Sequence, residues 1–247
     1  LDAGNSTFRY VHRVRFELRD PFASRPREAS DVAAWLYGAA ERGIDRFWLR
    51  APTPGDANLT DEGIPDRVLA AFAGGGRWQL CGTSREQIVE IWSPSWTIRN
   101  QGEPDQRIWE VDYHREPQDA TASRPRPDLT VAAARLSTVL ERAELFARGE
   151  DLADWADWFS TARALGDVED PKPPYHPDLF PARGYPRPAR RLLATAARAW
   201  VFGGMGSWND LVFGTSHAER EYDQLSAELY AAVLDAFAAS VNAELEA

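Results

Sequence analysis

The sequence predicts an α+β fold: an N-terminal mixed or antiparallel sheet with two helices, followed by a helical C-terminal half, packed as one compact body. Three observations predict it. The stretches Thr7–Arg19 and Arg107–Glu116 alternate apolar and polar side chains with the period of two that a half-buried strand requires. Later stretches repeat apolar residues at three- and four-residue spacing, as amphipathic helices do. Between them, residues 117–128 are polar and proline-bearing, the composition of a linker. The expected organisation is a sheet lobe over 1–116, a linker over 117–128 and a helical lobe over 129–247, folding as one cooperative unit.

In the first strand, Phe8, Tyr10, His12, Val14, Phe16 and Leu18 share one face, opposite a cationic row that includes Arg9, Arg13 and Arg15. His12, on the apolar side, is read as a hydrogen-bonded core histidine. Ser30 is placed to cap a helix over Asp31–Arg42, which Gly43 closes. Ile44–Arg50 reads as a second strand, and Pro65 opens a short helix through Phe72. Arg77–Cys81 is a further strand. Gln87–Trp92 and Ser95–Arg99 read as strands too, with Pro94 marking a bulge or an edge, although Thr83–Glu86 also has the spacing of a helix start. In Arg107–Glu116, Trp109, Val111 and Tyr113 face one way, and Glu110, Asp112 and His114 the other. This acidic row and the cationic row of the first strand suit adjacent strands, so the first and last strands of the sheet are expected to be neighbours.

The helical half opens with Thr130–Arg148, ending at Gly149, and a second helix begins near Asp151 with Leu152, Trp155 and Phe159 inward. Six prolines between Gly166 and Arg187 predict a long, extended segment packed over the body. Pro188 opens a third helix expected to stop at Gly203 or Gly204. Ser216 and Glu219 have capping-box spacing and predict a final helix from His217 to about Glu246. Its apolar stripe is too broad for one neighbour, so it lies between other elements or carries a dimer contact. Between these two helices, Trp200–Phe213 crowds three glycines, the single Met and two Trp into the turn expected to be the hub of the fold.

Composition narrows the functions. A net charge of −10 argues against a nucleic-acid footprint, which needs clustered cations. Lys172 is the single lysine, so the arginine content reads as the codon bias of a high-GC genome rather than as phosphate recognition. No run approaches the ~18 apolar residues of a membrane span and no signal-peptide pattern is seen, so a soluble cytoplasmic protein is expected. A start at Leu1 leaves removal of an N-terminal segment open. One cysteine, Cys81, allows no internal disulfide or thiolate cluster. The glycine-rich stretches match no phosphate loop or nucleophile elbow, and no cofactor or metal is implied.

The candidates for chemistry are therefore few. Asp112 and His114 project together from one strand face, as a base and its orienter would. His176 and Asp178, flanked by Tyr175 and Tyr185, sit in the proline-rich segment, where long loops often carry function. The first expectation is a non-catalytic binding protein that meets a protein or another macromolecule through its polar face and exposed rings, or a homodimer through the C-terminal helix. The alternative is a hydrolase or metal-dependent enzyme whose site joins Asp112 and His114 to His176 and Asp178.

Overall fold

The computed structural model describes residues 5–18, 27–29, 31–51, 64–70, 78–84, 87–116, 128–176, 178–181 and 183–245. The expected linker falls almost wholly outside them, as do Ser30 and the end of the helix expected to reach Phe72. The chain divides into two compact units, one of residues 1–52 and 76–125 and one of residues 53–75 and 126–247. The described residues 64–70 fall in the second of these units.

The first unit is a six-stranded mixed sheet. Its strands are β1 (Val11–Leu18), β2 (Arg27–Ala29), β3 (Arg46–Arg50), β4 (Gln79–Ser84), β5 (Gln87–Ile98) and β6 (Trp109–Arg115), with α1 (Val32–Glu41) before β3. The spatial order is β2-β1-β6-β5-β4-β3. β3 to β6 form an antiparallel meander, and β6 returns beside β1 in parallel. The opposed charge rows do face each other across this pair. Residues 84 and 87–92 are strand, and β5 runs unbroken through Pro94. Pro94 pairs with Tyr113 of β6 but lies past the last β4 partner, Leu80↔Trp92, so its missing N–H falls on an edge.

A register shift between Val11 and Arg13 corrects the sequence's assignment of faces. One extra residue on β1 reverses the alternation, as a bulge does. Val11 thereby joins Val14 and Phe16 in the apolar lining of the sheet, while His12 is exposed, with its Nδ1 3.4 Å from Arg99 Nη1. His12 is therefore not a core histidine. Asp31, rather than Ser30, caps α1, accepting the Ala34 N–H at 2.8 Å. α1 lays Trp35 on the apolar face: its ring stacks on Phe16 at 4.3 Å and meets Trp92 edge-on at 5.8 Å. On the other side of β3 and β4, Trp48, Cys81 and Ile91 make a second cluster. Burial pushes the Cys81 thiol up to about 11, so this cysteine behaves as a small hydrophobe.

The second unit contains α2 (Asp66–Leu69), α3 (Leu129–Gly149), α4 (Ala153–Ala164), α5 (Arg187–Ala199) and α6 (Ser216–Val241). Asp128 caps α3 by accepting the Thr130 and Val131 N–H groups at 3.0 Å. The core includes Leu136 and Leu140 of α3 and Leu225, Leu229 and Val233 of α6, and the rings of Phe146, Trp155, Phe159 and Tyr222 surround Trp208. Such side chains contribute about 1.5–3 kcal/mol each on full burial. The hub sequence organises this unit. Trp208 is fully buried, donates its indole N–H to Ser226 Oγ at 2.8 Å and meets Phe159 edge-on at 4.9 Å. Its tip is solvated, Met205 being fully exposed, and Gly206 there takes φ +82, a conformation that glycine adopts without strain.

α5 ends at Ala199, four residues before the expected glycine, because Val201 and Phe202 are drawn into the core as extended chain. Arg67 of α2 is buried, donating to Asn209 Oδ1 at 3.2 Å and Asp223 Oδ1 at 2.6 Å with its guanidinium over the Tyr222 ring. The proline-rich segment is pinned by Tyr185, whose hydroxyl donates to the Ser240 carbonyl at 2.9 Å. The stripe of α6 is spent inside the unit: Tyr222, Leu225, Leu229, Tyr230, Val233 and Leu234 are all buried. Among the described residues, no helix is long and apolar enough to cross a membrane.

Candidate functional site

Asp112 and His114 do project together from β6, and the parallel register sets Arg15 opposite Asp112 and Glu17 opposite His114. Asp112 takes the Arg15 fork bidentately, Oδ1 from Nε and Oδ2 from Nη2, both at 2.8 Å. That bond holds the Asp112 carboxyl below the usual carboxylate range, overcoming the opposing cost of burial. A carboxylate so engaged is a weak base. His114 Nδ1 stands 3.1 Å from Glu17 Oε2 without the alignment of a hydrogen bond. Two residues back along the same pair of strands, Arg13 donates to Glu110 at 2.8 Å. The polar face of the sheet is thus a ladder of opposite charges.

His176 and Asp178 belong to the helical unit. His176 is half-buried in a left-handed turn, φ 51, where its carbonyl accepts the Leu179 N–H at 2.8 Å. Asp178 is exposed. Among the described residues, no three His, Cys, Asp or Glu side chains gather as a metal-ligand set.

The opposite, apolar face of the sheet holds a hollow of about 390 Å³ beside α1. Val14, Phe16, Val111 and Tyr113 from the strands and Leu36 and Trp35 from the helix line it. Among the described lining residues, the side chains that carry a polar group are Tyr113, Trp35 and Trp96. Burial raises the Tyr113 phenol, which keeps it neutral. Trp35 Nε1 is buried without an acceptor. Trp96, 36% exposed, lines the mouth and rests edge-on against Trp109 at 6.0 Å. The alternating rings were visible in the sequence. What was not visible is that α1 covers only part of the face they share.

A second concavity, of about 350 Å³, lies in the helical unit between α3 and α5. Arg163, Arg187 and Arg191 line it together with the hydroxyl-bearing Thr130, Ser137 and Thr195. Arginine abundance alone does not mark it. The signal that could have found it is Arg187, Arg191 and Thr195 at four-residue intervals on one helix. Comparison of the chain with protein-family models, with curated proteins and with solved structures finds no match, and a functional reading therefore rests on these side chains alone.

Proposed function

We propose that the protein is a non-catalytic binding protein whose sheet unit takes a small apolar ligand in the hollow beside α1. The observation that carries this reading is the lining itself: a volume of about 390 Å³ walled almost entirely by aliphatic and aromatic carbon. Small-molecule sites commonly span ~300–1,000 Å³ with mainly apolar walls and few polar groups. An occupant with one acceptor, such as a carbonyl, suits the neutral Tyr113 hydroxyl. The partly exposed Trp96 and Tyr10 are exposed rings of the kind a binding role calls for.

The hydrolase alternative leans on Asp112 as a base, and the Arg15 fork opposes that role. A homodimer through α6 has little apolar surface to draw on, since Val241 is the one large hydrophobic of that helix left exposed. The test is fluorescence titration with N-phenyl-1-naphthylamine, a neutral apolar fluorophore. Saturable enhancement at one site is expected, weakened roughly tenfold or more by Leu36→Trp, which fills the hollow. Unsaturable binding, or equal binding by the variant, would sink the reading.

A further inference from the structure

We infer that the groove between α3 and α5 is a second, separate binding site, which takes a small organic oxyanion: a carboxylate or phosphate head on an apolar body.

The groove follows from helical spacing. On α5, Arg187, Arg191 and Thr195 recur every four residues and point to one side. On α3, Leu129, Ala133 and Ser137 do the same, and the small Ala133 and Ser137 hold that side open. Arg163, from the end of α4, and Gly166 and Asp167, from the turn after it, complete the lining.

The charges favour an anion. Three guanidinium groups line the groove against one carboxylate, Asp167. Arg187 is shared with Glu169 at 3.2 Å, an exposed pair that an incoming anion can displace at little cost. Arg163 is shared with Glu144 at 3.2 Å. Arg191 differs from both. Its Nε donates to the Val168 carbonyl at 2.7 Å, and among the described residues no carboxylate stands within 4.0 Å of it. The Val168 bond fixes the plane of that guanidinium and leaves its two Nη groups for a ligand, in the geometry that suits a bidentate oxyanion. α5 adds its positive end: its N-cap is Pro186, with no side-chain cap, and its first turn contains no acidic residue.

An independent observation points to an occupant. Thr195 is 94% buried on the groove's floor, since its relative exposure is 6%, and its hydroxyl has no hydrogen-bond partner. Arg163 Nε is likewise buried without one. Buried polar groups are nearly always paired, and two orphans lining one groove share a remedy. Both can donate, as groups that serve an oxyanion must. Each atom is covered in the empty groove, so the ligand reaches the hydroxyl through a rotamer turn at Thr195. The space above it is held by Gly166, where a Cβ would stand 3.8 Å from the hydroxyl oxygen and 3.3 Å from the Arg163 carbonyl oxygen.

Size and wall chemistry then select an organic anion over a bare one. A volume of about 350 Å³ exceeds what inorganic phosphate fills, and Leu129, Ala133, Pro188 and Leu192 give it an apolar wall.

The test is isothermal titration calorimetry of the full chain with benzoate, phenyl phosphate, inorganic phosphate and benzyl alcohol. Saturable binding of at least one phenyl-bearing anion is expected, and the tighter of the two identifies the head group. Inorganic phosphate should bind roughly tenfold or more weakly than the better phenyl anion, and the neutral alcohol should give no saturable heat. Arg191→Ala and the isosteric Thr195→Val should each weaken the phenyl anion roughly tenfold while far-UV circular dichroism stays unchanged. Leu36→Trp should leave this binding untouched, which separates the groove from the sheet hollow. The inference is overturned if neither phenyl anion saturates at concentrations on the order of 10 mM. It is equally overturned if either groove variant binds as the wild type does, or if inorganic phosphate binds as tightly as the better phenyl anion.

Discussion

Ser226 Oγ accepts the indole N–H of Trp208 at 2.8 Å, and both side chains have zero exposure. Replacing Ser226 by Ala removes one oxygen and little volume, but it strands a buried donor. The cost of such an orphan is about 1–3 kcal/mol, larger than the worth of the bond itself. Ser226→Ala should therefore lower the urea midpoint of the helical unit by that free energy, read by circular dichroism at 222 nm. A change below about 0.5 kcal/mol would mean that Trp208 finds another acceptor or none is required. At this scale the sequence announced the tryptophan but not its partner. Ser226 lies 18 residues away on another element, and no local pattern links the two. Asp112 shows the converse. Its spacing from His114 was legible, and so was the attraction of the two charge rows. That Arg15 would grip the carboxylate with two bonds required the parallel register of β1 and β6, which only the assembled sheet supplies. His12 lies on the polar side because the bulged residue shifts the alternation at that point of β1.

Among elements, the long helices were legible because their apolar period is sustained over many turns, whereas their ends turn on single hydrogen bonds. The start of α6 illustrates this. The spacing of Ser216 and Glu219 predicts a capping box, yet the cap is Thr215, one residue earlier, whose Oγ1 accepts the Ala218 N–H at 3.2 Å. Glu219 instead reaches back to the Phe213 N–H at 2.9 Å, tying the helix to the hub. A true capping box forms inside the hub itself, at Ser207 and Asp210. The two assignments make different predictions. Thr215→Ala should cost about 1 kcal/mol, while Ser216→Ala, at an exposed helical position, should be close to neutral. Paired chemical denaturation of the two variants decides between them, and equal losses would return the cap to Ser216. Elements held by few residues escaped the sequence for the same reason: β2 is three residues long and pairs only with β1. The groove between α3 and α5 escaped because it consists of what two helices leave unfilled.

Across the whole molecule, an acidic chain of 38 carboxylates meets 28 cationic side chains, nearly all of them arginine. The carboxylates most tightly held occur in both units. Asp112 of the sheet unit is depressed by its Arg15 bond. In the helical unit, burial pushes Glu144 up, but the bonds from Arg148 and Arg163 outweigh it and the net shift is downward. Glu228 is lowered by hydrogen bonds from Gln224 and Arg142. In each case the folded chain gives up its proton more readily than the unfolded chain does. The unfolded state therefore binds more protons as pH falls into the ordinary carboxylate range of about 4, and stability declines with it. The contribution is fully present above that range and is lost as pH falls through the lower folded values. Urea midpoints should hold steady from about pH 7 to 5.5 and then fall progressively toward pH 3. Arg15→Gln removes the cation that depresses Asp112, so it should lower stability near neutrality and shallow the acid slope, the two curves converging at low pH. A midpoint that stays flat to pH 3, or an unchanged slope in Arg15→Gln, would show that the ladder across β1 and β6 is only surface decoration.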